Sequence, residues 1–209
     1  MLTAATYREY ALTMQRKPGR PRALTVDVIA QAALDDGVDT FSMPSVARRL
    51  GVAHSGLYRY VTDRDDLMVE ALTRAYAAAT WPDADLPWEE LLREIGNTIW
   101  RACDEFPGLD RASQHSRKLS PVVLRHMEDY VSSLQAQGFL AEDAAVAVEF
   151  AIFLALDCSS QMHRLDQPTE ADCPTSPALT VDDVDEVRHC ELYARKLDIV
   201  LAGLAARRI

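Results

Sequence analysis

The apolar residues of this chain recur mostly three and four positions apart rather than in alternation, which leaves little room for anything but helices. The cleanest case is Trp88, Leu91, Leu92, Ile95, Ile99, Ala102 and Phe106, which predicts an amphipathic helix over 87–106, stopped by Pro107-Gly108. Pro121 opens another, with Val123, Met127, Tyr130, Val131 and Leu134 inward and Gly138 at its end. From Ala141 to about Leu165 the pattern is apolar on nearly all sides in its middle, so two faces need cover. Glycine is scarce, 8 in 209 residues, and no repeat is visible. The expectation is an all-α protein, long enough for one large domain or for a small and a medium one.

Several classes are set aside. The longest apolar run, Ala144 to Leu156, is broken by Glu149 and reads as too short to span a bilayer. Tyr7, Arg8, Glu9 and Tyr10 interrupt any leader pattern at the N-terminus. Cys103, Cys158, Cys173 and Cys190 never form a CxxC pair and read as reduced thiols of a cytoplasmic protein. No nucleophile–base arrangement, metal spacing or cofactor motif stands out, which argues against an enzyme.

Charge divides the chain. The net charge is -10, yet residues 16–61 hold seven Arg or Lys against four Asp. Residues 76–209 hold twelve against twenty-three Asp or Glu. A mildly basic head on an acidic body suggests a nucleic-acid face at one end.

The head has a pattern of its own. Thr25 caps an apolar stripe at Val26, Ile29, Ala30, Ala33 and Leu34, ended by Gly37. Ser42 caps a short second helix with Pro44 in its first turn and Val46, Ala47 and Leu50 inside. Gly51 supplies a tight turn. A third helix is expected from about Ala53 to Val61, with Leu57 and Val61 inward and His54, Ser55, Tyr58, Arg59 and Tyr60 outward. Asp63 caps a fourth, with Leu67, Met68, Ala71, Leu72 and Ala75 inside. Two short helices joined by a glycine turn on a supporting helix make a helix-turn-helix, whose second helix enters the major groove.

The stretch FSMPSVARRLGVAHSGLYRYVTDRDDLMVEAL resembles the DNA-binding head of TetR-type transcriptional repressors, through Ala47, Leu50-Gly51-Val52, Leu57-Tyr58, Val61, Arg64 and Leu67. The resemblance is strong over 25 to about 75 and weaker in the body, where LQAQGFLAEDAAVAVEFAIF is similar to the tetracycline-repressor branch. It implies an N-terminal helix-turn-helix head on a C-terminal helical body that binds ligand and dimerises. The corresponding division is a basic arm at 1–22, a DNA-binding head at 23–75 and a body at 76–209.

By resemblance, Tyr58 matches a phosphate-contacting tyrosine and Tyr60 stands where some members carry His. Arg64 stands where the family usually has a phosphate-binding Lys. His54, Ser55 and Gly56 form the base-facing start of the recognition helix. Pro44 departs from the pattern, since tetracycline-type members can carry a guanine-reading Arg there. Gly19-Arg20-Pro21 resembles an AT-hook core that lays Arg into a narrow minor groove. The DNA-facing set is completed by Arg22, Thr25, Ser42, Ser45 and Arg59, facing double-stranded operator DNA.

The family usually keeps a small-molecule effector cavity in the body, lined here by Trp100, Cys103, His115, Met127, Tyr130, Phe150, Phe153 and Asp157, with no metal. For the homodimer, Val187, Cys190, Ala194, Leu197, Leu201 and Leu204 form a heptad-like seam, with Ile199 and Val200 beside it. The alternative is that this seam is buried within one subunit. The segment 166–180, rich in Pro, Thr, Asp and Ser, reads as a mobile loop. The competing functional readings are a helical protein-interaction adaptor and a small helical enzyme without DNA binding.

Overall fold

The computed structural model describes residues 24–165 and 186–208, and side chains within these except 164–165 and 186–192. The proposed contacts of Arg20 and Arg22, the loop at 166–180 and the side chains of Val187 and Cys190 lie outside the described residues. Among the described residues every regular element is helical: α1 (Val26–Asp35), α2 (Met43–Leu50), α3 (His54–Leu57), α4 (Arg64–Ala78), α5 (Trp88–Glu105), α6 (Leu109–His115), α7 (Pro121–Ala136), α8 (Ala141–Leu165) and α9 (Glu186–Ala205).

Local chemistry sets the boundaries of the head. The Thr25 hydroxyl accepts from Val28 N at 3.2 Å and starts α1. Ser42 and Ser45 cap α2 reciprocally, Ser45 N donating to Ser42 Oγ at 3.2 Å and Ser42 N to Ser45 Oγ at 2.9 Å. Gly51, at φ 66°, closes α2 in the left-handed region. Asp63 Oδ1 accepts from Asp66 N, and Asp66 Oδ2 from Thr62 N, both at 2.8 Å, so both carboxylates hold backbone N–H groups at the start of α4.

The third helix is shorter than its sequence suggests. It holds one α-turn, His54–Leu57, and then tightens into a turn in which Tyr60 N and Val61 N both donate to the Leu57 carbonyl, at 2.9 and 3.2 Å. Tyr60, Val61 and Thr62 are weak helix formers, and Asp63 must be extended (φ -157°, ψ -170°) to cap α4. Leu57 and Val61 are nonetheless both buried.

α4 joins head to body. It packs on α1 on one side and on α6 and α7 on the other, and one hydrophobic core runs through both parts. α8 is the body's central helix, packed against α5, α6, α7 and α9. Its Ala144, Ala147, Val148, Ala151, Ile152, Ala155 and Leu156 are buried, while Val146, Phe150 and Phe153 face outward, 60%, 42% and 44% exposed. Ala141–His163 is long and apolar enough to cross a membrane by length and composition, contrary to the sequence reading of a short run, but half of it is buried within the protein.

The seam on α9 turns inward. Leu197, Leu201 and Leu204 are 2%, 4% and 8% exposed within the single chain. Their spacing defines a helix face, and that face lies on the chain's own core, so these three do not form an open dimer surface. Ala194 is exposed, and Ile199, two residues and about 200° around the helix from Leu197, is 69% exposed.

Candidate nucleic-acid interface and effector site

α3 stands on Leu57, which is fully buried, and turns His54, Ser55, Tyr58, Arg59 and Tyr60 to solvent. A Cβ added to Gly56 would touch nothing within 4 Å, so packing does not require glycine there. The small residue keeps the outer face low enough for another surface to approach. His54 Nε2 and Tyr58 Oη lie 3.3 Å apart, one helical turn from each other, with the rings edge-on at 5.2 Å. That pairing holds the tyrosine against the start of α3.

The other head residues divide. The hydroxyls of Thr25, Ser42 and Ser45 are engaged as helix caps. Arg48 and Arg59 are exposed cations, whereas Arg49 bends back to the end of α1, donating to the Asp35 carbonyl at 2.9 Å and to Asp36 at 3.3 Å. Arg64 departs from the expected phosphate role. Its Nε donates to the Phe41 carbonyl at 3.0 Å and its Nη2 to the Asp39 carbonyl at 3.1 Å, with the guanidinium 4.8 Å over the Phe41 ring. It fastens α4 to the loop before α2.

That loop is also tied to the body. Arg111 Nε on α6 donates to Asp39 Oδ2 at 2.7 Å. Gly108, at φ 86°, leaves room for the Asp39 carboxylate that a side chain would displace. Tyr76 Oη on α4 meets Ser113 Oγ on α6 at 2.8 Å. The sequence reading passed over α6, whose signals were Gly108 as a restart and Leu109 and Ala112 at helical spacing.

The eight residues expected to line one cavity do not converge. Trp100 lines a groove of about 430 Å³ between α5 and α9, facing Tyr193 at 5.5 Å. His115 is exposed and lines a different groove of about 320 Å³, with Thr62–Asp66, Arg117 and Lys118. Tyr130 is buried in an aromatic stack with His126 and Trp81 and donates to the Pro82 carbonyl at 3.0 Å. Met127 is half-buried on the same helix. Phe150, Phe153 and Asp157 lie on the outer side of α8. A long helix has room for two apolar faces, and periodicity alone does not say which one looks inward. Cys103 is fully buried and has Ser159 and Asp110 as neighbours that the sequence pattern does not reveal, and Asp110 in turn meets His163. Among the described residues no three His, Cys, Asp or Glu are grouped as metal ligands.

A helix-turn-helix with an exposed polar recognition turn, carried by a helical body, defines a DNA-binding transcriptional regulator. No family model matches the chain. It is 28% identical over 176 residues to the HTH-type transcriptional repressor Rv1353c of Mycobacterium tuberculosis, covering 73% of this chain and 67% of that one. Among solved structures it is similar to the Streptomyces coelicolor TetR family protein ActR in complex with actinorhodin (26% identity, TM-score 0.67, 89% of this chain and 97% of that one). It shares its fold with BioQ bound to its double-stranded DNA operator (20% identity, TM-score 0.65, 88% and 99% covered). The chain is a DNA-binding transcriptional regulator with the fold of TetR family proteins.

Proposed function

We propose that the chain is a cytoplasmic, homodimeric repressor that holds operator DNA through its head and releases it when a small molecule occupies the body. The observation that carries the reading is the outer face of α3: five exposed polar or aromatic side chains from His54 to Tyr60, a glycine with open space above it, and a buried leucine behind. In this reading His54 and Ser55 meet base edges, and Tyr58, Arg59 and Tyr60 meet phosphates. Thr25, Ser42 and Ser45 present helix N-termini to the backbone, and the arm at 1–22 lays Arg20 and Arg22 along the minor groove. The head is taken as 23–75 and the body as 76–209, with α4 shared between them and ending at Ala78.

Val146, Phe150 and Phe153 on α8 and Ile199 on α9 supply the second apolar face that α8's composition called for. We assign the homodimer contact to this face, because an apolar patch of this kind marks an interaction site and a twofold axis repeats it on the partner. The twofold then sets two α3 turns about 34–36 Å apart, in successive major grooves.

Release follows from the ties between body and head. A ligand that moves α6 pulls on Arg111 and hence on Asp39, whose carbonyl Arg64 holds to α4. Tenfold release needs about 1.4 kcal/mol of preference for the DNA-free state. The test is a fluorescence-anisotropy titration of the full chain against DNA from immediately upstream of its own gene and against a scrambled duplex. Binding at least about a thousandfold tighter to the first supports the reading, and equal affinity for both overturns it.

A further inference from the structure

Side chains from four helices converge inside the body around a carboxylate that the fold leaves half satisfied. Asp110 on α6 is fully buried. Its Oδ2 lies 3.3 Å from His163 Nδ1 on α8, and its Oδ1 has no hydrogen-bond partner. Ser159 precedes His163 by one turn and so shares its side of α8; its hydroxyl is buried and has the Cys103 thiol as its polar neighbour. Cys103 comes from α5. Burial pushes its thiol up to about 12, with Ser159 close enough to oppose the shift and Asp110 close enough to add to it. Tyr76 arrives from α4, its phenol raised first by burial and then by Cys103 and Asp110. Buried polar groups in folded proteins find partners, and each exception asks for a water, an ion or a ligand.

The chemistry of the open atoms is one-sided. The unpartnered Asp110 oxygen can accept a hydrogen bond, a serine hydroxyl can accept, and a thiol held protonated carries no charge. No described Lys or Arg donates to Asp110: the adjacent Arg111 is turned to Asp39. An anion here would be brought against the Asp110 carboxyl, whose basic neighbour among the described residues is His163, whereas a cation that donates hydrogen bonds would complete the site.

We propose that Asp110, with Ser159 and His163, is the polar end of the effector site and takes a protonated amine borne on a small apolar body. The inference rests on the effector-released reading above and names the class of compound that it requires. It also explains why the binding centre eluded the sequence pattern: its determinants are single polar residues on the inner sides of α6 and α8, where periodicity registers only apolar neighbours.

The test uses the full chain and shape-matched probes: 2-phenylethylammonium, benzyl alcohol and phenylacetate, with their naphthyl counterparts. Thermal shift and isothermal titration are read for each. The ammonium compounds are expected to raise the unfolding midpoint and bind, the alcohols to bind more weakly and the carboxylates not at all. Asp110→Asn, which keeps the shape, is expected to weaken ammonium binding about tenfold or more and to erase the preference over the alcohol. If that variant does not fold, Ser159→Ala removes one acceptor and leaves the carboxylate, with several-fold weaker ammonium binding expected. Carboxylates binding as well as ammonium compounds, ammonium affinity unchanged in the variant that folds, or no probe binding at all overturns the proposal. Operator binding by the unliganded chain is scored apart. If it fails while the ammonium preference holds, the repressor reading falls and the site stands. If it holds while the preference is absent, only the site falls.

Discussion

Replacing Phe153 by Glu separates the two apolar faces of α8 most sharply. The side chain is 44% exposed in the single chain. A phenylalanine buries roughly 200 Å², so about 90 Å² remains to be covered by a partner. At about 25 cal/mol/Å² that area is worth about 2 kcal/mol per protomer. A twofold axis counts it twice, so Phe153→Glu is expected to weaken the dimer by about 4 kcal/mol, close to a thousandfold in Kd, before any charge repulsion is added. The monomer should lose less stability than it does at a fully buried site, because nearly half of the ring already faces water. Leu201→Glu makes the contrast: that residue is 4% exposed and lies on the chain's own core. A charge there should cost several kcal/mol of folding stability instead. Sedimentation velocity over a concentration series, with urea unfolding of both variants, reads the two effects apart. A Phe153→Glu protein that dissociates at the same concentration as wild type would refute the assignment of the outer face.

Other outcomes follow from single contacts. Arg59→Ala should lower the slope of log K against log salt by about 0.9, while Arg64→Ala should leave the slope alone and lower stability by about 1–3 kcal/mol; salt titrations of operator affinity and urea unfolding check both. Gly96→Ala should destabilise the chain, because its Cβ would overlap the Tyr193 hydroxyl. The overlap, about 1–3 kcal/mol, outweighs the gain of about 1 kcal/mol in helix propensity, and a raised unfolding midpoint would contradict this. Cys103, fully buried with its thiol pushed up to about 12, should resist iodoacetamide at pH 8 in the native protein and react in urea, as followed by peptide mass spectrometry.

Most of the head was legible because its boundaries are set by neighbours in sequence. Thr25, Ser42 and Asp63 cap their helices through residues three positions away, and Gly51 turns the chain by its own backbone freedom. The length of α3 was not legible, since its end is imposed by the extended Asp63 that the next helix requires. In the body, the inner residues of α5 and α7 were read correctly from period alone: Leu91, Ile95 and Ile99, and Val123, Tyr130 and Leu134, are all buried. On α9 the same signal does not choose between partner and core, because a leucine stripe has the same spacing whether it meets a partner's helix or the chain's own core, and Leu197, Leu201 and Leu204 are buried within the chain. Arg64 shows a related limit. A cation at the start of α4 looks available for phosphate in sequence, and only the fold brings the carbonyls of Asp39 and Phe41 beneath it. The buried Asp110 left no trace in the pattern, sitting one residue from an Arg that faces the head.

The central claim is that two copies of α3 read one operator as a pair. Hydroxyl-radical footprinting of the chain on its own upstream DNA tests it directly, with His54→Ala and Ser55→Ala proteins alongside. The account predicts two protected patches on one face of the duplex, about one helical turn apart, with specific protection lost in the variants while salt-sensitive background binding remains. Protection that is uniform along the DNA, or unchanged when His54 and Ser55 are replaced, would contradict it.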